Sequence, residues 1–336
     1  MIEGALPQIP CGTLKRKEHM GHDTSVTYID VEDPGQRIDN WLRRELKAVP
    51  KARIYRMLRR GEVRVNGGRV KPTYRLQAGD RVRVPPVRTG RRPAPPARQE
   101  PLGRLLSEAV LFEDDGLLIL DKPAGLAVHG GSGVSYGLIE ALRAARPERF
   151  LELAHRLDRE TSGCLIVAKS RVALKQLHAL QRARQVRKTY QLLVAGRWPR
   201  QLNAVDLPLH RYLTPGGERR VRVAGHGKQS RTTFQRLRAA PCASWLQARL
   251  QTGRTHQIRV HAASSGHPVL GDDKYGTDVS AARSGVGGVG RLCLHATQLS
   301  FDWDRTHLSV EAPLPALFAE SWERLSSYRG DYPADI

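Results

Sequence analysis

A proline-rich segment constrains the organisation of this 336-residue chain more than any other sequence feature. Residues 85–101 read PPVRTGRRPAPPARQEP, with six prolines in seventeen positions. Proline lacks the backbone amide that helices and sheet ladders require, so this stretch predicts a semi-extended linker. We therefore expect two domains, at residues 26–84 and 102–330. We interpret residues 1–25 as a disordered tail, or as sequence ahead of a true start at Met20.

Positive charge is concentrated in the segment that precedes this linker. Residues 35–88 carry 16 basic and four acidic side chains, a net charge of +12, whereas residues 101–336 carry only +11 over a far longer stretch. The whole chain has a formal charge of +22, and 44 of its 55 basic residues are arginine. This charge favours a polyanionic partner, and the planar arginine fork suits RNA. A GC-rich genome is an alternative reason for the arginine share, but it does not explain the excess charge.

Several classes of protein are disfavoured by what the sequence lacks. It has no run of 18 apolar residues and no apolar stretch near its start, so we expect neither a membrane span nor secretion. Its four cysteines form no CxxC pair, which predicts a reducing, cytoplasmic environment. Residues 130–133 lack the dinucleotide-binding glycine spacing, and His256 and His261 form no HExxH motif. We therefore expect no metal, no nucleotide and no other cofactor.

The segment before the linker predicts two helices and a small hairpin. Residues 36–46 and 51–60 place apolar side chains at helical spacing, and Gly61 can end the second helix. Residues 62–66 alternate and enter an Asn-Gly turn, which is the strongest short hairpin signal, and residues 81–84 alternate again. Arginines on helix and strand together favour an RNA-binding surface over a merely solvated basic face. The candidate RNA contacts are Lys51, Arg53, Arg56, Arg59, Arg60 and Arg64.

The segment after the linker predicts an α+β domain. An Asp-Gly pair between apolar runs predicts a hairpin over residues 109–123. Helices are predicted at residues 138–145, 172–180 and 315–325, and strands at residues 188–196, 220–223, 229–237 and 244–250, with two more between 291 and 310. Because strands outnumber helices and are often joined by hairpin-length loops, we expect a mixed, mostly antiparallel sheet with flanking helices. We interpret the glycine-rich residues 284–290 as a mobile loop.

One dense polar loop, HRLDRETSG at residues 155–163, lies between two apolar runs. Loops that a rigid scaffold holds in place commonly carry function. Asp158 has arginines on both sides, and neighbouring positive charge favours an ionised carboxylate that is ready to act as a nucleophile. The local pattern by itself favours a different interpretation, an aspartate that caps the turn with Thr161 or Ser162.

Three motifs that occur in order resemble the RluA family of pseudouridine synthases, and within it the type that modifies large-subunit ribosomal RNA. They are KPAGLAVHGGSG at residues 122–133, HRLDRETSG, and TGRTHQIRVH at residues 252–261. RIDNWL, KARIYRMLRRGEVRVNGGRV and AGDRVRVP, within residues 35–84, resemble the S4 RNA-binding domain. The resemblance begins at about Val26. It implies a small S4-type α/β domain followed by a pseudouridine synthase domain.

The resemblance also implies roles for individual residues. Asp158 would attack the target nucleotide and break its C1′–N1 bond, after which uracil is re-attached through C5. Arg156 would replace the flipped base, Tyr190 would stack under the uracil and help to remove the C5 proton, and Arg259 would pair with the catalytic carboxylate. Taken alone, Tyr190 fits core packing and Arg259 fits a phosphate contact. The other substrate-contact candidates are Lys122, His129, Lys188 and Arg254.

Three hypotheses about function remain open from the sequence. The first is a monomeric isomerase that converts specific uridines of 23S ribosomal RNA to pseudouridine. The second is a non-catalytic S4-type RNA binder or ribosome-assembly factor. The third is a synthase of the same family that acts on tRNA or on another ribosomal site. The S4 segment and the HGGSG stretch favour the first hypothesis by family analogy.

Overall fold

The structure is a computed structural model that describes residues 26–31, 34–46, 49, 51–87, 105–106, 108–130, 137–147 and 149–329. The chain forms two compact units, Met1–Pro96 and Ala97–Ile336. The border between them falls inside the proline-rich segment. Residues 1–25, most of that segment and the side chain of Lys51 lie outside the described residues.

The first unit combines two amphipathic helices with an antiparallel sheet in the order β1-β3-β2. Ile38, Leu42, Ile54 and Met57 are fully buried, because they recur at helical spacing on the faces that form the core. Gly61, at a φ of +69°, ends the second helix as predicted. The elements are β1 (Thr27–Asp30), α1 (Ile38–Glu45), α2 (Lys51–Arg60), β2 (Arg64–Val65) and β3 (Arg81–Val84).

The predicted Asn-Gly turn is present, although the strand that enters it is short. Asn66 and Gly67 have φ angles of 49° and 79°, as a tight hairpin turn requires. Val65 and Gly68 exchange backbone hydrogen bonds of 3.0 and 2.8 Å across it. The sheet partner of β2 lies further along the chain, where Val82 of β3 is opposite Val65. The first strand, β1, was not predicted, and it pairs with the other edge of β3.

The second unit is built on a large mixed sheet in the order β4-β5-β7-β14-β8-β13-β12-β9. Strand β15 pairs with β14 and β6 pairs with β7, while β10 and β11 form a separate hairpin. The pairing of β7 with β14 is parallel, and the other pairings are antiparallel, as expected. The strands are β4 (Val110–Glu113), β5 (Leu117–Lys122), β6 (Glu152–Leu153), β7 (Ser162–Ala168), β8 (Arg187–Ala195), β9 (Ala204–Asp206), β10 (Leu209–Leu213), β11 (Arg219–Val223), β12 (Arg231–Ala239), β13 (Ala243–Leu250), β14 (Leu294–Trp303) and β15 (Thr306–Glu311).

Helices cover both faces of strand β7, and its sequence is accordingly apolar after Ser162. Leu165 belongs to the core cluster that includes Tyr190 and residues of the helix Leu138–Ala145. Ile166, on the opposite face, packs in a second cluster with Leu177. The helices are α3 (Leu138–Ala145), α4 (Arg171–Arg182), α5 (Gln257–Ser264), α6 (Asp278–Val286) and α7 (Ala316–Ser327). This packing holds the start of β7, and the polar loop before it, against a rigid core.

The interpretation of residues 284–290 as a mobile loop is wrong for their first part. Helix α6 extends to Val286. Thr277 caps this helix by accepting a hydrogen bond of 3.2 Å from the Ser280 amide. Ser284 Oγ accepts a hydrogen bond of 3.0 Å from the Gly271 amide, which ties the helix to the chain beside it.

Candidate active site

Asp158 lies in the loop between β6 and β7, at the surface of the core. Leu157, next to it, is buried in the cluster that contains Leu165 and Tyr190. The Thr161 amide donates a hydrogen bond of 3.2 Å to the backbone carbonyl of Asp158, which closes the turn. The turn therefore does not need the carboxylate as a cap, and the side chain of Asp158 is 26% exposed. The capping interpretation is wrong, and the carboxylate is available for chemistry.

Lys122 contacts the Asp158 loop from the protein interior and is not accessible to a substrate. Its side chain is fully buried. The ammonium donates to the carbonyls of Pro123, Leu126 and Arg159 at 2.7, 2.9 and 3.0 Å. Burial lowers the pKa of Lys122 to about 7. The prediction of a substrate contact at Lys122 is therefore wrong, because its ammonium binds backbone carbonyls, of which that of Arg159 belongs to the loop that carries Asp158.

Ser162 and Gly163 allow β7 to begin close to β14. Gly163 has a φ of +105°, and a Cβ at this position would lie 2.2 Å from the carbonyl oxygen of Ala296. Ser162 Oγ lies 2.8 Å from Nδ1 of His295, a fully buried residue of β14. The Ser-Gly pair of the motif is thus explained by strand packing immediately behind the catalytic loop.

Among the described residues, His256 is the basic side chain that lies within 4.0 Å of the Asp158 carboxylate. Its Nε2 lies 3.8 Å from Oδ2 of Asp158. The Tyr275 hydroxyl accepts a hydrogen bond of 3.0 Å from the Val221 amide and lies 2.7 Å from Nδ1 of His256. Because the phenol oxygen already accepts from Val221, we assign its proton to the contact with Nδ1, and this assignment places the proton of a neutral imidazole on Nε2. Burial lowers the pKa of His256, so the neutral form is favoured although the charge of Asp158 opposes the effect.

The loop before α5 positions His256 by folding around a buried glutamine. Gln257 Oε1 accepts hydrogen bonds from the Thr252 hydroxyl at 2.8 Å and from the Arg254 amide at 3.0 Å. Its Nε2 donates to the Arg231 carbonyl of β12 at 3.0 Å. His256 takes a left-handed conformation with a φ of 53°, which is uncommon for a residue with a side chain.

Arg259 does not pair directly with Asp158, so that expectation is wrong. Its Nε and Nη2 atoms bind the two carboxylate oxygens of Asp272 at 2.7 and 2.6 Å, and Nη2 also lies 3.2 Å from Asp273. Arg259 is 2% exposed, and its guanidinium lies 5.2 Å from the centre of the Tyr275 ring. Asp272 also accepts from the Lys274 and Tyr275 amides at 2.9 and 3.0 Å. Arg259 therefore holds the loop of Tyr275, which in turn contacts His256.

Tyr190 lies on β8 and is 6% exposed. Burial raises the pKa of Tyr190, and the negative charge of Asp158 raises it further. At neutral pH the side chain is therefore a neutral phenol close to the carboxylate. A neutral phenol suits stacking and hydrogen bonding, but it is poorly suited to take the C5 proton as a base.

The remaining candidates differ in their access to a substrate. Arg156 is exposed, and its charge adds to burial in lowering the pKa of His129, so these two residues lie close together. Arg254 is exposed and donates to the Gln229 carbonyl at 3.3 Å. Lys188 is half-buried, and burial lowers its pKa to about 8. The roles of these four residues, Arg156, His129, Arg254 and Lys188, as substrate contacts remain predictions.

The candidate RNA contacts of the first unit are not equivalent. Arg56, Arg59 and Arg60 are exposed on α2. Arg53 is half-buried and forms an ion pair of 2.9 Å with Glu62. Arg64 is exposed and donates to the carbonyls of its own turn at 3.3 and 3.4 Å. The exposed end of α2 is therefore the part of this surface with the most available charge.

Among the described residues, no group of three or more His, Cys, Asp or Glu side chains is arranged to hold a metal ion. No described helix is both long and apolar enough to cross a membrane.

Sequence reasoning missed His256, Tyr275 and Asp272. His256 was tested only as a metal ligand, although it lies inside the TGRTHQIRVH motif. Asp272 lies one glycine after the apolar residues Val269 and Leu270, and a carboxylate so close to apolar residues is a signal for a buried partner.

Comparison with known proteins connects this geometry to a family. Residues 116–264 match the model of the RNA pseudouridylate synthase family, and residues 36–82 match the S4 domain. The chain is 47% identical over 313 residues to ribosomal large subunit pseudouridine synthase C of Escherichia coli (strain K12), which covers 90% of this chain and 97% of the relative.

Two further comparisons agree. The corresponding Yersinia pestis protein is 50% identical over 291 residues, covering 85% of this chain and 91% of that protein. The solved structure of human RNA pseudouridylate synthase domain containing 4 has a TM-score of 0.58 and 27% identity, and covers 68% of this chain and 97% of that one. The chain belongs to the RNA pseudouridylate synthase family, in the branch that carries an S4 domain before the catalytic one.

Proposed function

We propose that this protein converts uridines of large-subunit, 23S ribosomal RNA to pseudouridine. The observation that carries the proposal is a part-exposed Asp158 carboxylate, on a loop fixed by Lys122 and facing His256 and Tyr190. The names of the curated relatives support the ribosomal substrate. We further propose that the protein acts as a monomer in the cytoplasm, where this RNA is assembled.

Asp158 is the nucleophile in the proposed reaction. Its carboxylate attacks the target nucleotide, and the bond between C1′ and N1 breaks. The freed uracil turns, C5 forms a new bond to C1′, and the bond between the carboxylate and the nucleotide breaks, which returns Asp158 to its free form. Loss of the C5 proton and protonation of N1 then complete an isomerisation, in which no atom is gained or lost.

His256 orients the carboxylate in this scheme. Its neutral imidazole directs the Nε2 proton towards Asp158 Oδ2, 3.8 Å away, and a small movement closes this distance to a hydrogen bond. Tyr275 fixes the ring by donating to Nδ1. Because the imidazole stays neutral, it orients the carboxylate without forming a strong ion pair that would reduce its nucleophilicity.

Tyr190 and Arg156 stabilise the extruded nucleotide and the RNA stack from which it comes. Tyr190 supplies a flat, neutral ring for the uracil, in the environment that raises its pKa. Arg156 is exposed next to Asp158 and takes the place of the flipped base in the RNA stack. Unstacking a base costs a few kcal/mol, which contacts of this kind offset.

The decisive test compares Asp158→Asn with Asp302→Asn. Both substitutions remove one carboxylate charge, but Asp302 is exposed on β14, with a side chain that is 84% accessible. We expect Asp158→Asn to abolish isomerisation and to retain RNA binding, and Asp302→Asn to leave both unchanged. Pseudouridines are mapped by carbodiimide-blocked reverse transcription on unmodified transcripts of 23S rRNA, 16S rRNA and tRNA.

The outcomes separate the alternative functions. Isomerisation by Asp158→Asn at the wild-type rate would contradict the catalytic role. Wild-type activity on tRNA or 16S transcripts alone would contradict the ribosomal large-subunit substrate. Binding to 23S rRNA without isomerisation of any transcript would favour the non-catalytic alternative.

A further inference from the structure

A second basic feature of the second unit lies outside the Asp158 site. It is a cavity of about 590 Å³ beside strand β12 and the chain that follows β8. None of its lining residues, all of which the structure describes, is Asp or Glu. We name it the arginine cavity. It is defined by Arg197, Arg200, Arg236 and Arg238, with Trp198 and Phe234.

The cavity brings positive charges together without a counter-ion. Arg236 is half-buried, and its Nη1 donates to the Trp198 carbonyl. Partial burial lowers the pKa of Arg236, and the charges of Arg200 and Arg197 lower it further. Among the described residues, none of the four arginines forms an ion pair within 4.0 Å. Like charges held this close favour an anion between them.

The walls also limit where that anion would lie. The Arg238 guanidinium lies 5.3 Å from the centre of the Trp245 ring, which fixes its position by a cation–π contact. Trp198 and Phe234 pack with their ring centres 4.7 Å apart and are nearly fully buried. The arginine cavity therefore has a rigid apolar base, and its guanidinium groups occupy the more exposed wall.

Strand register connects the arginine cavity to the active site. Tyr190 of β8 is directly opposite Ala248 of β13, and Ala248 is directly opposite Phe234 of β12. Directly opposed residues of antiparallel strands project from the same face of a sheet. With neighbouring strands about 4.8 Å apart, Phe234 lies roughly 10 Å from Tyr190 on that face. Arg236, two residues beyond Phe234, projects from the same face.

We propose that the arginine cavity binds a phosphodiester group of the substrate RNA, on the strand that flanks the target uridine. The inference rests on the proposed function, because it assigns this RNA as the ligand. Guanidinium groups bind phosphate oxygens in paired hydrogen bonds, and the wall offers several such groups. The register places Phe234, at the base of the cavity, and Tyr190 on the same face of the sheet, so the cavity lies along the path of an RNA strand that carries the reacting base. The cavity thus adds affinity at the catalytic unit itself, separately from the S4 domain.

The test uses the full-length protein with the double substitution Arg197→Gln/Arg200→Gln. Both residues are exposed, so the change leaves the core intact. Arg236→Lys is a second variant, which keeps the charge and loses the fork. The control is Arg171→Gln, an exposed residue at the start of α4, which packs on the opposite face of the sheet. Binding to an unmodified 23S rRNA transcript is measured by filter retention at KCl concentrations from about 0.05 to 0.2 M.

We expect the double variant to bind roughly tenfold more weakly and to lose between about 0.7 and 1.8 from the slope of log affinity against log salt. The rate of isomerisation at saturating enzyme stays at the wild-type value. Arg236→Lys keeps the slope but binds more weakly, and Arg171→Gln changes neither quantity. An unchanged slope and affinity in the double variant would overturn the proposal. Isomerisation of the same transcript by the wild-type protein, measured in parallel, tests the proposed function independently of that result.

Discussion

Two regions of this protein, helix α2 of the first unit and the surroundings of Asp158 in the second, differ in whether their charged side chains are exposed or buried. On α2 of the first unit, Arg56, Arg59 and Arg60 are exposed. Near Asp158 in the second unit, charges are buried and fully bonded, as in the pair of Arg259 with Asp272 and in Lys122 with its three carbonyls. Exposed charges supply affinity and salt dependence, whereas buried and bonded ones fix geometry. From this difference we infer that the exposed charge on α2 serves RNA docking, whereas the buried charge near Asp158 serves orientation.

The largest expected effect comes from breaking the buried pair. Asp272→Asn leaves the Arg259 charge without its main partner at a site that is 2% exposed. We expect a loss of about 3 kcal/mol or more in the free energy of unfolding, measured in urea by tryptophan fluorescence. Arg259→Met in the Asp272→Asn background should recover most of that stability, because no unpaired charge remains. A double variant as unstable as the single one would contradict the role assigned to the pair.

A loss of stability of similar size is expected when the pH is lowered, because His295 is buried. Burial lowers the pKa of His295 from 6.5 to about 4 in the folded protein. The unfolded chain therefore binds a proton between these values that the folded protein does not, so stability falls as the pH falls from 6.5 towards 4. We expect a contribution of about 3 kcal/mol to this loss.

The substitution His295→Asn isolates that contribution. Asparagine can still contact Ser162 but does not titrate. Urea unfolding at pH 7 and at pH 4.5 should show a smaller difference for the variant than for the wild type. Equal differences in the two proteins would show that His295 does not control the acid response.

A smaller effect is expected at Tyr275. Tyr275→Phe removes the hydroxyl that lies 2.7 Å from Nδ1 of His256, and with it the control of the imidazole tautomer. We expect kcat to fall by about tenfold, because the Asp158 carboxylate is then less well oriented for attack, with KM unchanged. The pH profile of kcat should also shift, because His256 then titrates in a different environment. Tyr212→Phe, on β10, is the control. A rise in KM alone would contradict a positioning role.

The smallest effect is expected at single arginines of the first unit. Arg59→Gln should reduce the salt slope of RNA binding by about 0.7 to 0.9, with affinity reduced by less than about tenfold. Arg53→Gln is the matched comparison on the same helix, and we expect a smaller change because Arg53 already pairs with Glu62. Equal changes in the salt slope at the two positions would show that the ion pair with Glu62 does not reduce the contact of Arg53 with RNA.

Much of the fold could be predicted from the sequence where periodicity is strong. Helix α2 and helix α3 have the predicted bounds, because apolar side chains recur at helical spacing in both. Strand β1 was missed, since its four residues are mostly exposed and show no clear alternation. The position of Asp158 on a polar loop between two strands was also predicted.

The partners of the site residues could not be predicted in the same way. Lys122 and Arg259 were both assigned to substrate or catalytic carboxylate, as their motifs suggest. Their actual partners are backbone carbonyls and Asp272, which tertiary packing brings to them. The arginine cavity depends on the register of β8, β13 and β12, which no local pattern contains.

The burial of Lys122 gives this enzyme an internal reporter of loop motion. A lysine amine reacts with acylating reagents only when it is uncharged and accessible, and a pKa of about 7 supplies the first condition near neutral pH. The second is met only when the Asp158 loop, whose Arg159 carbonyl accepts from the ammonium, and the carbonyls of Pro123 and Leu126 separate from Lys122. The labelling rate of Lys122, followed by mass spectrometry, therefore measures how often the catalytic loop opens, and RNA bound at Asp158 should slow it.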